Sequence, residues 1–216
     1  MPRLSFRISR GAEENGVVIG NAYDKYGSNN KIVKHLMRGF EAALTSLVES
    51  AQPQSIHEIG CGEGYWTMQW LKKGLQAKGC DFSEEVINIA RENARTHDLP
   101  ANVFKRKSIY DLCPEEDTAD LIVCCEVLEH LEEPKLGLGA LQRIASRNII
   151  ISVPNEPVWR MLNLARGKYI GQLGNTPGHI QHWSTTGIRR LVAEYFQIIE
   201  TRTPLPWTML YCQRYE

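Results

Sequence analysis

No sign of charge dominates this chain. Over 216 residues, 25 Lys and Arg stand against 25 Asp and Glu, a formal net charge of zero. That balance removes the bulk electrostatic pull toward phosphate backbones or anionic lipid, although a local basic patch can still exist. A dedicated nucleic-acid binder is disfavoured, and Lys105-Arg106-Lys107 is too short a basic run to reverse this. No Cys-x-x-Cys pair occurs among Cys61, Cys80, Cys113, Cys124, Cys125 and Cys212, most of which sit inside apolar runs. They read as reduced core residues, not as a disulfide framework or a structural zinc site. No apolar stretch approaches a membrane span, and Met1–Gly16, which carries Arg3, Arg7 and Arg10, lacks the apolar run of a signal peptide. A soluble, cytoplasmic protein is expected. Repeats and low-complexity tracts are missing too.

What remains is an ordinary globular composition, with 43% hydrophobic residues, 17 Gly and 10 Pro. A chain this long can bury roughly 70% of the surface its unfolded form exposes, enough for one core without a metal or disulfide. One domain over residues 1–216 is expected, with 1–50 as an N-terminal cap segment and helix. Asn29–Ser50 carries apolar residues at helical spacing and ends before Pro53. Strand and helix then alternate. Strands are expected at Ser55–Ile59, Gln76–Phe82, Asn102–Lys107, Ala119–Cys125 and Asn148–Val153. Helices are expected at about Tyr65–Lys73, after Ser83 to about His97, and from Pro134 to about Ser146. This is the pattern of a doubly wound α/β sheet, and the unbroken apolar run Leu121–Cys125 suits a strand covered on both faces. Residues 154–183 are irregular, rich in Gly and Pro (Gly167 and Pro177 among them), with one helix around Val158–Arg166. An insertion of that length in a compact domain is usually functional. A helix at Thr185–Tyr195 and a hairpin of Phe196–Thr203 and Trp207–Arg214 end the chain.

The glycine cluster His57-Glu58-Ile59-Gly60-Cys61-Gly62-Glu63-Gly64 lies where the first of these strands passes into a helix. Glycines there let the backbone turn tightly and a ligand approach the main chain. The spacing is Gly-x-Gly-x-Gly, and Glu58 would repel a pyrophosphate, so the ligand should carry positive charge or hydroxyls at this point. Asp81 ends the next strand, where an acid can accept both hydroxyls of a ribose. Together these describe an adenosine ligand without a phosphate and with a cationic tail.

With "HEIGCGEG", "GCDFS", "KSIYDL" and "ADLIVCCEVLEHLEEP" in this order, the chain resembles the class I S-adenosylmethionine-dependent methyltransferases, strongly over Ser55–Val153. The resemblance implies a Rossmann-like sheet of seven strands whose terminal strand is antiparallel, with helices on both faces. It implies S-adenosyl-L-methionine as cofactor. Gly60, Cys61 and Gly62 would meet its methionine and ribose part through backbone atoms, Asp81 its ribose, and Phe82 its adenine. Ser108 stands where relatives often have an acid; its hydroxyl would meet the adenine amine, with Ile109 offering its N–H.

Methyl transfer is an in-line displacement, and a neutral hydroxyl acceptor needs a base or a metal. Glu126, Glu129 and His130, at i, i+3 and i+4, share a face if they lie on one helical turn. His179 and His182 follow in the insertion. Carboxylates and imidazoles around one point make a plausible Mg²⁺, Mn²⁺ or Zn²⁺ site. The arrangement is similar to two subfamilies, the ubiquinone-pathway O-methyltransferases and the small-RNA 3′-terminal 2′-O-methyltransferases. In the latter a Glu-Glu-His-His set holds a divalent ion, which would make Glu126, Glu129, His130 and His179 the ligands. Two other readings stay open: His130 or His179 as a metal-free base, and roles without either, with Glu126 binding the cofactor's amino group or a helix N-terminus and His130 a hydrogen-bonded buried histidine. Tyr23 and Tyr26 either close the site over the methionine end or staple the first helix to the sheet. Trp159 and Trp183 could line an acceptor pocket. The reading favoured here is O-methylation of a small-molecule acceptor, with no nucleic acid and no membrane span expected. An RNA 3′-end methyltransferase and a non-catalytic cofactor-binding regulator are the alternatives.

Overall fold

The computed structural model describes residues 6–14, 17–21, 23–165, 171, 173–176 and 178–215. Arg3, Gly16, Arg166, Gly167 and Pro177, on which parts of the sequence reading rest, lie outside the described residues.

The chain opens with an antiparallel pair, β1 (Glu13–Glu14) and β2 (Val17–Val18), which the polar N-terminal sequence does not announce. Strands of two residues are too short for an alternating pattern to register. Helix α1 (Lys31–Ala51) starts at Asn30, whose side chain accepts from the Ile32 and Val33 amides, and ends at Gln52 in the left-handed region. Its buried face, including Met37, Phe40, Leu44 and Leu47, packs on the sheet.

The alternating part follows as β3 (Ser55–Ile59), α2 (Tyr65–Lys72), β4 (Gln76–Asp81), α3 (Glu84–Thr96), β5 (Phe104–Arg106), α4 (Pro114–Asp117), β6 (Ala119–Cys125), α5 (Pro134–Ile144) and β7 (Ala145–Pro154). The last part holds α6 (Glu156–Ala165), α7 (Thr185–Val192), β8 (Phe196–Arg202) and β9 (Trp207–Arg214). Several boundaries differ from the expected ones, among them α7, which ends at Val192 and not Tyr195, and two have a cause in the sheet. Strand β7 begins at Ala145, because that residue pairs with Ala119 on β6 and sheet pairing ends the helix early. Ala101–Val103 forms a 3-10 turn, leaving β5 only three residues long at the sheet edge.

One seven-stranded sheet runs in the order β5-β4-β3-β6-β7-β9-β8. Strands β3 to β7 are parallel, and β9 lies antiparallel between β7 and β8. Apolar clusters cover both faces: Ile122, Leu141, Ile151 and Phe196 belong to one, and Leu121, Trp70, Ile150 and Met209 to the other. Leu121 and Ile122 are adjacent on β6 and point to opposite faces, which explains its continuous apolar run. The parallel strands all end on the same edge, so the loops after β3, β4 and β6 share one crevice. Among the described residues no helix is long and apolar enough to cross a membrane.

Candidate functional site

The loop after β3 is shaped by glycines at positive φ: Gly60 at 74°, Gly62 at 52° and Gly64 at 86°. Gly64 is also sterically required, since a Cβ there would sit 2.8 Å from the Phe104 ring. The Gly60 and Cys61 amides donate to the Cys80 carbonyl at 2.8 and 2.9 Å, tying the turn to β4. Asp81 completes it. Its carboxylate accepts from the Gly62 amide at 3.1 Å and from the Ser83 amide at 3.2 Å. Burial pushes the Asp81 pKa up to about 6 against these hydrogen bonds.

Glu58 has a second task that its place in the motif does not reveal. Helix α2 starts at Gly64, which has no side chain to cap it. Glu58 Oε2 accepts from the Thr67 amide at 2.9 Å and its hydroxyl at 2.5 Å, so a buried acid from β3 caps α2 from below. Burial pushes Glu58 up to about 8, opposed by the bonds from Thr67.

All ten residues read as cofactor-binding, Tyr26, Glu58, Gly60, Cys61, Gly62, Asp81, Phe82, Ser108, Ile109 and Glu126, line one cavity of about 1200 Å³. Phe82 shows an exposed face there, and Ser108 Oγ accepts from the Tyr110 amide at 3.3 Å. The same cavity continues against an apolar wall that includes Met37 and Phe40 of α1, Trp159 of α6 and Trp207 of β9. Trp183 is not in that wall. It packs against the main core beside α7.

The N-terminal segment closes over this cavity, held by a residue the sequence reading passed over. Buried Glu63 accepts from Ser9 N, Ser9 Oγ and Asn21 N at 3.1, 3.0 and 2.7 Å, and from Asn21 Nδ2. Asn93 bonds the Arg7 backbone and the Glu63 carbonyl. Tyr26 both borders the cavity and staples the segment to α2, its ring stacked on Tyr65 at 3.5 Å and edge-on to Trp66. Lys25, another residue passed over, lines the cavity. Its charge favours ionised Glu58, Glu126 and Glu129 and opposes protonation of His130.

The acid and histidine set divides. Glu126, Glu129 and His130 do not share a helical turn, because only Leu128–His130 is helical, as a 3-10 turn, and Glu126 has φ 60°. That backbone sends the Glu126 carboxylate toward the sheet, where it accepts from Ser152 Oγ at 3.0 Å and Trp207 Nε1 at 2.6 Å. Glu129, His130 and His179 instead converge, one ligand atom from each lying within 4.8 Å of the others, and Glu126 stands outside this group.

The Glu129 carboxylate is buried and neither oxygen has a hydrogen-bond partner. Its backbone carbonyl accepts from the Ile180 and Gln181 amides, which brings the insertion to it. His130 Nδ1 lies 2.9 Å from the Gly178 carbonyl and His179 Nδ1 2.8 Å from Glu156 Oε1, so Nε2 of each ring is the nitrogen left to the cluster. Burial and the neighbouring His179 push His130 down to about 4, which keeps it neutral. His130 borders the cavity, and Glu129 and His179 are buried behind it. The donor set suits a divalent cation, and an unpartnered buried carboxylate is the kind of orphan that a cation satisfies.

A "Methyltransferase domain" family profile matches residues 56–147. The ubiquinone biosynthesis O-methyltransferase of Coxiella burnetii is 32% identical over 150 residues, 62% of this chain and 63% of that protein. The chain thus spans less than two thirds of that relative. The ubiquinone biosynthesis O-methyltransferase of Methylococcus capsulatus is 32% identical over 90 residues, covering 41% and 37%. Magnesium protoporphyrin IX methyltransferase (ChlM) from Synechocystis PCC 6803 with bound SAH superposes with TM-score 0.66 at 23% identity, covering 88% of this chain and 89% of that one. The methyltransferase domain of bacterial CtHen1-CN superposes with TM-score 0.63 at 20% identity, covering 82% and 99%.

Proposed function

From a chain that has the class I S-adenosylmethionine-dependent methyltransferase fold and is related to the ubiquinone-pathway O-methyltransferases, we propose an enzyme that methylates oxygen on a small acceptor with an apolar body. The observation that carries this reading is the single cavity whose walls include the glycine loop, Asp81, His130 and the apolar surface of α1 and Trp159.

Asp81 accepts the ribose hydroxyls, Phe82 lies against the adenine with Ser108 and Ile109 beside it, and the Gly60–Gly62 backbone, Tyr26 and Glu126 surround the methionine end. The acceptor oxygen forms a bond to the methyl carbon while the carbon–sulfur bond breaks and sulfur keeps the electron pair. The acceptor's proton must leave. His130 Nε2 is the chain's own proton acceptor at the cavity wall, held in the right tautomer by Gly178, with His179 beside it.

Glu129, His130 and His179 also fit a divalent cation, and two imidazoles favour Mn²⁺ or Zn²⁺ over Mg²⁺. Such an ion would polarise a nearby hydroxyl oxygen and lower its pKa so that its proton passes to solvent, and it would occupy the Nε2 lone pair that receives the proton in the metal-free form. The orphaned oxygens of Glu129 favour the metal-bearing form. Glu126 belongs with the cofactor end of the cavity, not with this set.

The test is transfer of labelled methyl from S-adenosylmethionine to a panel of hydroxylated aromatic and aliphatic acceptors, beside a short RNA with a free 3′-terminal 2′-hydroxyl. Label on a small hydroxylated acceptor, lost on chelation and restored by Mn²⁺, is expected. Label on the RNA alone would replace the small-molecule reading, which the chain's zero net charge supports. Cofactor binding without label on any acceptor would point to a regulatory module.

A further inference from the structure

Behind the cluster lies a second acid that the proposed ligand set does not use. Glu156 is the first residue of α6, 3% exposed, and its amide donates to the Trp183 carbonyl at 3.1 Å. Its Oε1 meets His179 Nδ1 at 2.8 Å, with His182 Nδ1 farther off at 3.5 Å. Its Oε2 is buried and has no hydrogen-bond partner. Resting on the metal-bearing reading above, we infer that Glu156 is a positioning residue for the cation site: it holds the His179 ring with Nε2 toward Glu129 and His130.

The geometry separates this role from that of a simple staple between α6 and the loop. That loop is already fastened without Glu156. Trp159 Nε1 donates to Thr176 Oγ1 at 2.8 Å, Asn163 Nδ2 donates to the Gly174 carbonyl at 2.9 Å, and the Trp159 ring stacks on His179. What these contacts do not set is the rotation of the imidazole about its own axis. Glu156 Oε1 does, because only an Nδ1–H facing it leaves Nε2 for the cluster. The acid is also a means of charge balance. Two buried carboxylates, Glu129 and Glu156, flank two imidazoles, and three of their four oxygens have no partner. A cation on the Nε2 side strengthens the Nδ1–H···Oε1 bond, and the carboxylate in turn makes the imidazole a better donor to the metal.

The experiment uses the full chain stripped of divalent ions and titrated with Mn²⁺, read by the loss of the free-ion electron paramagnetic resonance signal, with S-adenosylmethionine affinity measured in parallel. Glu156→Ala is expected to weaken Mn²⁺ roughly 10- to 100-fold, the scale seen when an outer carboxylate partner of a ligating histidine is removed. Glu156→Gln keeps an acceptor for Nδ1–H but loses the charge, and should weaken Mn²⁺ about tenfold. S-adenosylmethionine affinity should stay within about twofold in both, and His182→Ala should leave Mn²⁺ affinity unchanged, since His182 is the distant partner. Wild-type protein that binds Mn²⁺ while both Glu156 variants bind it equally well overturns the inference and leaves the metal reading standing. Wild-type protein that binds neither Mn²⁺ nor Zn²⁺ overturns the metal reading itself. If Glu156→Ala fails to fold, the isosteric Glu156→Gln decides.

Discussion

Two pairs of acids, Glu58 with half-buried Asp81 and buried Glu129 with Glu156, sit on the same edge of the sheet and are treated differently by the fold. At the glycine loop, Glu58 and Asp81 accept hydrogen bonds from backbone amides close to their own strands. At the insertion, both oxygens of Glu129 and one of Glu156 meet no donor. Burying an unpartnered carboxylate is costly, and such a group persists where something outside the chain completes it or where it keeps its proton. The two ends divide the work between them. In the proposed reading, the cofactor end is organised by the chain's own amides, and a cation would complete the end where Glu129 lies.

Substitutions can break this division, and the largest effect is expected at its incomplete end. Glu129→Gln should abolish Mn²⁺ binding and cut methyl transfer by roughly 100-fold or more, the scale of losing an electrostatic group at a reacting centre. S-adenosylmethionine affinity, measured by calorimetry, should stay within about twofold. Asp81→Ala should do the reverse, weakening the cofactor by roughly 1–3 kcal/mol through lost charged hydrogen bonds and sparing Mn²⁺ binding. If either substitution damages both functions alike, the two ends are not separable.

Asp81 has its pKa raised to about 6 in the unliganded fold, and ribose hydroxyls favour its ionised form. Cofactor affinity should therefore be near its maximum above about pH 7 and fall as the carboxyl takes up its proton, by about tenfold between pH 7 and pH 5. Asp81→Asn should flatten that profile. The unliganded fold responds with the opposite sign. Asp81 and Glu58 bind protons more tightly folded than unfolded, so the melting temperature should fall as pH rises from about 4 through 6 and on to about 8.

The smallest effect is expected at the N-terminal segment. Glu63→Ala removes the acceptor for Ser9 and Asn21, which should weaken the cofactor about threefold and expose Arg10 to trypsin, the scale of one net hydrogen bond. Cleavage at an unchanged rate would show that Asn93 and Tyr26 hold the segment without it.

The glycine-loop side of the cavity is largely legible in the sequence because its geometry is local. Gly60, Gly62 and Gly64 announce a turn by their spacing, Asp81 by closing a strand, and the Leu121–Cys125 run by needing cover on both faces. The parallel strands and the antiparallel β9 followed from the same periodicities and from the family resemblance. The acceptor end was legible only in part. Glu129, His130 and His179 were marked by residue type. Glu126 is spaced to join them only on a helical turn, which its left-handed backbone does not make. Glu63 and Glu156 gave no signal, because their partners Ser9 and His179 lie 54 and 23 residues away and such pairings leave no local period. Trp183 lies in an irregular segment where no pattern says which face is inward.

The most direct test of the division is one calorimetric experiment on the chelator-treated full chain, titrated first with S-adenosylmethionine and then with Mn²⁺. The account predicts that the cofactor binds in a one-to-one ratio with no ion present, and that one Mn²⁺ per chain then binds with a heat that disappears in Glu129→Gln. Cofactor binding that requires the ion, or no cofactor binding in either condition, would contradict it.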